Sequence, residues 1–116
     1  MPRLNHMVQY QSTRIDPFDA VADPTRRGIL ERLGRRDATI SELAHAFDMT
    51  LTGMKKHIQI LERAELVDTT KVGRVRTCRL GKRRLDDMAA WIEKYQRMVE
   101  ARLDRLAEFL EHTKGD

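Results

Sequence analysis

The chain has 116 residues, room for one domain and little for a second independent core. Charged residues make up 34% and the AVILMFWYC set 41%, with three Pro and six Gly, which excludes low-complexity and collagen-like chains and fits a compact, mainly helical domain. The 22 Lys+Arg against 18 Asp+Glu leave a formal charge of +4, a modest excess whose placement matters more than its size.

Between Thr50 and Arg84 lie ten basic residues and three acidic ones, leaving twelve basic and fifteen acidic elsewhere. A cationic third in an otherwise slightly acidic chain is the electrostatic footprint of a nucleic-acid binder, shared by ribosomal and membrane-surface proteins. No apolar run approaches the roughly 20 residues that cross a bilayer, and MPRLNHMVQYQ lacks the apolar centre of a signal peptide, so no membrane partner and a cytoplasmic location are expected. Cys78 is the single cysteine, which removes an internal disulfide and the thiolate zinc cages. No Gly-rich phosphate loop and no recognisable frame of paired carboxylates is present, so an enzyme is not expected.

In chain order, residues 1–16 show no sustained period and read as an arm. The segment 17–82 reads as a DNA-binding domain and 83–116 as a C-terminal dimerisation helix. Phe18 and Val21 mark a short helix broken at Asp23-Pro24. Asp23 is a good N-cap and Pro24 suits the first helical position, opening a helix to Leu33 that Gly34 is expected to end in the left-handed conformation.

Thr39-Ile40-Ser41-Glu42 matches the capping box, and Ile40, Leu43 and Ala44 then face a core. Phe47-Asp48-Met49 is a tight turn, after which Thr50 caps a helix from Leu51 to about Glu65. Two short helices joined in this way form a helix-turn-helix. At ~100° per residue, Met54, Ile58 and Leu61 of the second helix form one apolar stripe, while Thr52, Lys56, Gln59 and Arg63 cluster on the opposite side with Lys55 nearby.

Leu66–Lys71 and Arg76–Leu80 read as β strands joined through Val72-Gly73-Arg74-Val75, with Lys71, Arg74 and Arg76 on the tip and exposed side. A basic hairpin placed after such a helix is a wing. From about Arg84 to His112 a long helix carries Met88, Ile92, Tyr95, Val99, Leu103, Leu106 and Leu110 at spacings of three and four, widened by Trp91, Met98 and Phe109. That stripe is more apolar surface than a small winged domain covers, and a second copy of the chain is the expected partner. The expected fold is therefore mainly α with a small β-hairpin, a winged helix-turn-helix with a long C-terminal dimerisation helix.

Several strings together resemble the ArsR/SmtB-type winged-helix repressors, from Val8 onward. They are Phe18–Arg27 with Ile29-Leu30, similar to the family's ADPTRR-IL signature; Ile40–Ala44; Met49-Thr50 leading to Lys56–Leu61; Leu66-Val67; and the Gly73-Arg74 wing. The resemblance implies a homodimeric transcriptional regulator, usually a repressor and often of its own operon. Ala44 and Ala46 stand where arsenic and cadmium sensors of the family carry paired cysteines. Asp86 and Asp87 have no neighbouring His, and His112 lies beside Glu111 alone, so no metal site and no cofactor is expected.

The sequence thus predicts a reader of double-stranded DNA, with Thr52, Lys55, Lys56 and Gln59 at base edges and Ser41, Arg63, Lys71, Arg74 and Arg76 on phosphates and wing. Met88, Trp91, Ile92, Tyr95, Val99, Leu103, Leu106 and Leu110 are assigned to the dimer interface. Two other readings stay open: a dimeric protein-interaction module on the same scaffold, and a derepressor responsive to a ligand or to redox state. Nothing in these residues names a small-molecule inducer. His57, at the edge of the apolar stripe, reads as a packed, hydrogen-bonded structural histidine, His6 and His45 as surface residues, and Cys78 as a small buried hydrophobe.

Overall fold

The computed structural model describes residues 14–114, so most of the expected arm, His6 included, lies outside the described residues. The elements are α1 (Pro17–Ala20), α2 (Pro24–Leu33), β1 (Ala38–Thr39), α3 (Ile40–Ala46), α4 (Leu51–Arg63), β2 (Val67–Val72), β3 (Val75–Leu80) and α5 (Lys82–Lys114). The chain forms two compact units, one up to Leu85 and one from Asp86 onward.

Each early helix starts at a side chain that replaces missing backbone partners. Asp16 Oδ1 accepts from Phe18 N–H at 2.8 Å and Asp23 Oδ2 from Arg26 N–H at 3.0 Å, with Pro17 and Pro24 at the first helical positions. The expected left-handed Gly34 is not found. Its φ is −64°. Gly34 N–H donates to Leu30 O and Arg35 N–H to Arg32 O, so the backbone stays right-handed through one more turn before entering β1.

The expected hairpin is part of a three-stranded antiparallel sheet in the order β1-β3-β2. β1 is only two residues long, pairing Ala38 with Cys78 and Thr39 with Thr77, too short to show any alternation in sequence. The hairpin strands also run further than expected. Val72 pairs with Val75, leaving a two-residue turn with Gly73 at φ 62° in the first central position, as a type II′ turn requires. Val67, Thr69 and Lys71 share one face with Leu80, Cys78 and Arg76, and Val67 and Cys78 there are fully buried.

The core of the first unit includes Ile29, Leu43, Met54, Ile58, Leu61, Leu66, Val67 and Cys78. Two tight reversals bring these together. Helix α4 stops at Arg63, not at Glu65: Ala64 caps it, Glu65 adopts φ 60°, Glu65 N–H donates to Glu62 O, and Leu66 N–H donates to Leu61 O. That is a Schellman motif with glutamate in the left-handed position and with Leu61 and Leu66 buried. The reversal also receives Gly81, whose N–H donates to Leu66 O at 2.8 Å.

In the second unit α5 continues as one unbroken helix, two residues longer at each end than the sequence indicates. Its residues Trp91, Ile92, Tyr95, Val99, Leu103, Leu106 and Leu110 are between 42% and 58% exposed. Met88 differs from them, with 9% exposed. Trp91 and Tyr95 stack with ring centroids 5.3 Å apart.

A Cβ at position 81 would lie 2.7 Å from the Glu65 carbonyl oxygen and 3.2 Å from the Leu66 carbonyl carbon, both backbone atoms that cannot swing aside. Gly81→Ala should therefore lower unfolding stability by about 1–3 kcal/mol. Urea denaturation checks this, and an unchanged midpoint would mean that the two corners part without strain.

Candidate nucleic-acid interface

Helix α3 begins with a complete capping box. Thr39 Oγ1 accepts from Glu42 N–H at 3.1 Å, and Glu42 Oε1 accepts from Thr39 N–H at 2.8 Å. The Thr39 backbone N–H and then its hydroxyl hold the Glu42 carboxyl below the usual range. The turn that follows is a second Schellman motif, with Asp48 at φ 53°, Asp48 N–H donating to His45 O and Met49 N–H to Ala44 O. Thr50 then caps α4, its Oγ1 accepting from Gly53 N–H at 3.0 Å. A Cβ on Gly53 would lie 3.1 Å from that Oγ1, so the glycine serves the cap.

Met54, Ile58 and Leu61 are buried, which turns Thr52, Lys55, Lys56 and Gln59 to solvent. Between α4 and the wing lies a groove of about 540 Å³ whose walls include Ser41, Lys55, Gln59, Lys71, Arg74 and Arg76. Thr52 and Lys56 are exposed on α4 but do not line it. Arg63 belongs elsewhere, bordering a smaller recess with Arg14, Glu65 and Arg84, where Arg84 and Glu65 form an ion pair. Of the nine residues read as DNA-contacting, six therefore share one groove.

One groove residue, Glu62, and its partner Thr69 carried no sequence signal. Glu62 lines the groove, and its Oε2 accepts from Thr69 Oγ1 at 2.7 Å. Thr69 Oγ1 accepts in turn from Arg76 Nη1 at 2.8 Å. Their meeting depends on the hairpin register, in which Lys71 stands opposite Arg76 and Thr69 opposite Cys78. Like charges directly opposed across strands destabilise a hairpin unless an anion shields them.

The basic signature after α1 does structural work instead. Arg26 Nε donates to Ala20 O at 2.8 Å, and its Nη1 donates to His57 Nδ1 at 3.3 Å, tying α1 and α2 to α4. Arg27 Nη1 donates to Val21 O and Ala22 O. His57 is thus half-buried and hydrogen-bonded, and His45 is exposed, both as expected. Cys78 is fully buried, and burial, followed by the Glu62 charge, pushes its thiol up to about 11. It therefore stays protonated and unreactive at neutral pH. Among the described residues no group of three or more His, Cys, Asp or Glu is placed to hold a metal ion, and no helix is long and apolar enough to cross a membrane.

A capped helix-turn-helix followed by a cationic two-stranded wing defines a winged helix-turn-helix domain, a DNA-binding class. A helix-turn-helix domain family matches residues 21–70. The chain is similar to the transcriptional repressor SdpR of Bacillus subtilis (strain 168), 32% identical over 75 residues that make up 65% of this chain and 83% of that one. It is also similar to the crystal structure of an ArsR family transcriptional regulator, 48% identical with a TM-score of 0.68, covering 72% of this chain and 87% of the other. An ArsR-like transcriptional regulator from Rhodococcus sp. RHA1 matches at 32% identity and a TM-score of 0.69, over 79% of this chain and 87% of that one.

The chain belongs to the ArsR family of transcriptional regulators. It is a DNA-binding regulator and not an enzyme.

The caps at the two helix entries should make the domain less stable in acid. Glu42, and Asp23 through the Arg26 backbone N–H, have folded values below the ordinary carboxylate range. A depressed folded value contributes stability above the ordinary carboxylate pKa, and that contribution is lost as pH falls through the folded value. Thermal unfolding midpoints should therefore drop on acidification below that range, and Glu42→Gln should flatten part of the drop. A variant curve parallel to wild type would remove Glu42 from this role.

Proposed function

We propose that this chain is a homodimeric repressor of its own or a neighbouring operon, reading double-stranded DNA through the groove between α4 and the wing. The observation that carries this reading is the convergence of Ser41, Lys55, Gln59, Lys71, Arg74 and Arg76 around that groove. In the major groove, the Gln59 amide matches adenine N6 and N7, and Lys55 and Lys56 match guanine O6 and N7, with Thr52 beside them. Ser41, Arg63, Lys71, Arg74 and Arg76 hold phosphates, with the wing placed beside the adjacent minor groove. Similarity to a transcriptional repressor supports the direction of control. The cytoplasm is the proposed location, where such an operator lies, and no cofactor or metal is invoked.

The dimer reading rests on the exposed stripe of α5. Seven large apolar side chains about half exposed along one helix favour burial against an identical helix, and a two-fold dimer offers one reading helix to each of two half-sites. Leu103→Asp should leave the first unit folded, shift the protein from a two-chain to a one-chain species in sedimentation equilibrium, and weaken operator binding by at least about 10²-fold. A wild-type protein that sediments as a single chain would end the dimer reading.

Footprinting on the DNA upstream of the gene tests the roles within the groove. Gln59→Ala should relax preference at one base pair at a cost of about 1–3 kcal/mol, whereas Arg74→Ala should weaken all sequences alike and lower the salt slope by about one. If the loss from Gln59→Ala is the same at every sequence, Gln59 is not a base reader.

A further inference from the structure

A surface that grips phosphate loses affinity when it holds a carboxylate, because the anion repels the phosphates its neighbours attract. The groove nonetheless contains Glu62, beside Lys55, Lys71, Arg74 and Arg76. Its side chain is not idle there. Half-buried in the last turn of α4, it accepts the Thr69 hydroxyl proton at 2.7 Å, and the Thr69 oxygen accepts from Arg76 Nη1 at 2.8 Å. A threonine hydroxyl has one proton and two lone pairs, so giving the proton to Glu62 leaves the oxygen facing the guanidinium. A charged acceptor and a charged donor thus close on one hydroxyl, the stronger kind of hydrogen bond at each end. The link joins α4 to both strands of the wing.

We propose that Glu62 is a specificity-determining positioning residue, which through Thr69 holds Arg76 and the wing at one angle to the reading helix. The proposal rests on the groove being the DNA-contacting surface. Arg76 spends one of its five N–H donors on Thr69, so it still holds a phosphate, but from a fixed place. A wing held in that way fits the backbone of a duplex whose bases also fit α4. A loose wing follows the backbone of any duplex, and discrimination falls because it is a difference of two affinities.

The test uses a duplex selected by the wild-type protein from a randomised pool and a scrambled duplex of the same composition, with binding read by fluorescence anisotropy at about 0.15 M salt. Glu62→Gln keeps the size and the acceptor but removes the charge. It should bind the scrambled duplex about three- to tenfold more tightly while gaining less on the selected one. Thr69→Val removes the bridge and leaves the groove's charge unchanged. It should bind the selected duplex about three- to tenfold more weakly with little change on the scrambled one. Narrowed discrimination in every variant that folds supports the proposal, so failure of one to fold leaves the other to decide. Parallel changes on both duplexes overturn it, because a charge acting alone, or a general loss of structure, moves both together. If the wild-type protein selects no sequence from the pool, the DNA-reading assignment itself falls and takes this inference with it.

Discussion

The arrangement depends on α4 burying one side and baring the other. Met54, Ile58 and Leu61 are each almost fully buried, and a side chain of that size gains about 1.5–3 kcal/mol on leaving water. Rotating the helix to hide Lys55 or Gln59 would expose those three and desolvate an ammonium or an amide, which is costly without a partner. The polar side is therefore set by the apolar one. Arg26, bonded to both Ala20 O and His57 Nδ1, fixes the same helix from behind. Thr50 fixes its start, and the Glu65 reversal its end.

Those ends explain what was legible in the sequence. Helix starts were, because Asp23, Thr39 and Thr50 are side chains whose chemistry announces a cap, and all three cap as expected. Helix ends were harder to read. The usual signal is glycine in the left-handed position, yet Gly34 is right-handed, while the left-handed residues that close α3 and α4 are Asp48 and Glu65. Asp48 has a short polar side chain that tolerates this conformation. Glu65 has no such excuse, and burial of Leu61 and Leu66 on either side of the reversal is what holds it there. Packing overrode backbone preference, and the sequence around Glu65 shows Leu61 and Leu66 without showing that both are buried at the turn.

Helical periodicity likewise made the polar face of α4 readable, since a helix rotates each residue by a fixed angle. The groove's other wall was less so. It is built by a hairpin whose register decides which side chains face α4, and a slip of one residue inverts the choice. Lys71 and Arg76 were visible as charges, but their position opposite each other, with Thr69 and Glu62 bonded behind them, follows from the two-residue turn at Gly73-Arg74. A composition count treats Glu62 as one unit subtracted from a basic patch. Its hydrogen bond makes it part of the wall.

The same distinction bears on the net charge. Arg26, Arg27 and Arg32 donate to carbonyls, Arg79 donates to Thr70 Oγ1, and Arg84 pairs with Glu65, so these five side chains are tied into the fold. Among the described residues no carboxylate engages Lys55, Lys56, Lys71 or Arg74. The formal +4 of the whole chain thus understates the contrast between surfaces. A cation bonded to a carbonyl or a carboxylate is anchored to the fold, although an arginine so held keeps its other N–H donors. Lys55, Lys56, Lys71 and Arg74 offer a partner their full charge, and binding then has to order their long side chains. The cations thus divide by place, one group tied into the fold and one facing solvent on α4 and the wing, and Arg76 belongs to both, bonded to Thr69 and lining the groove.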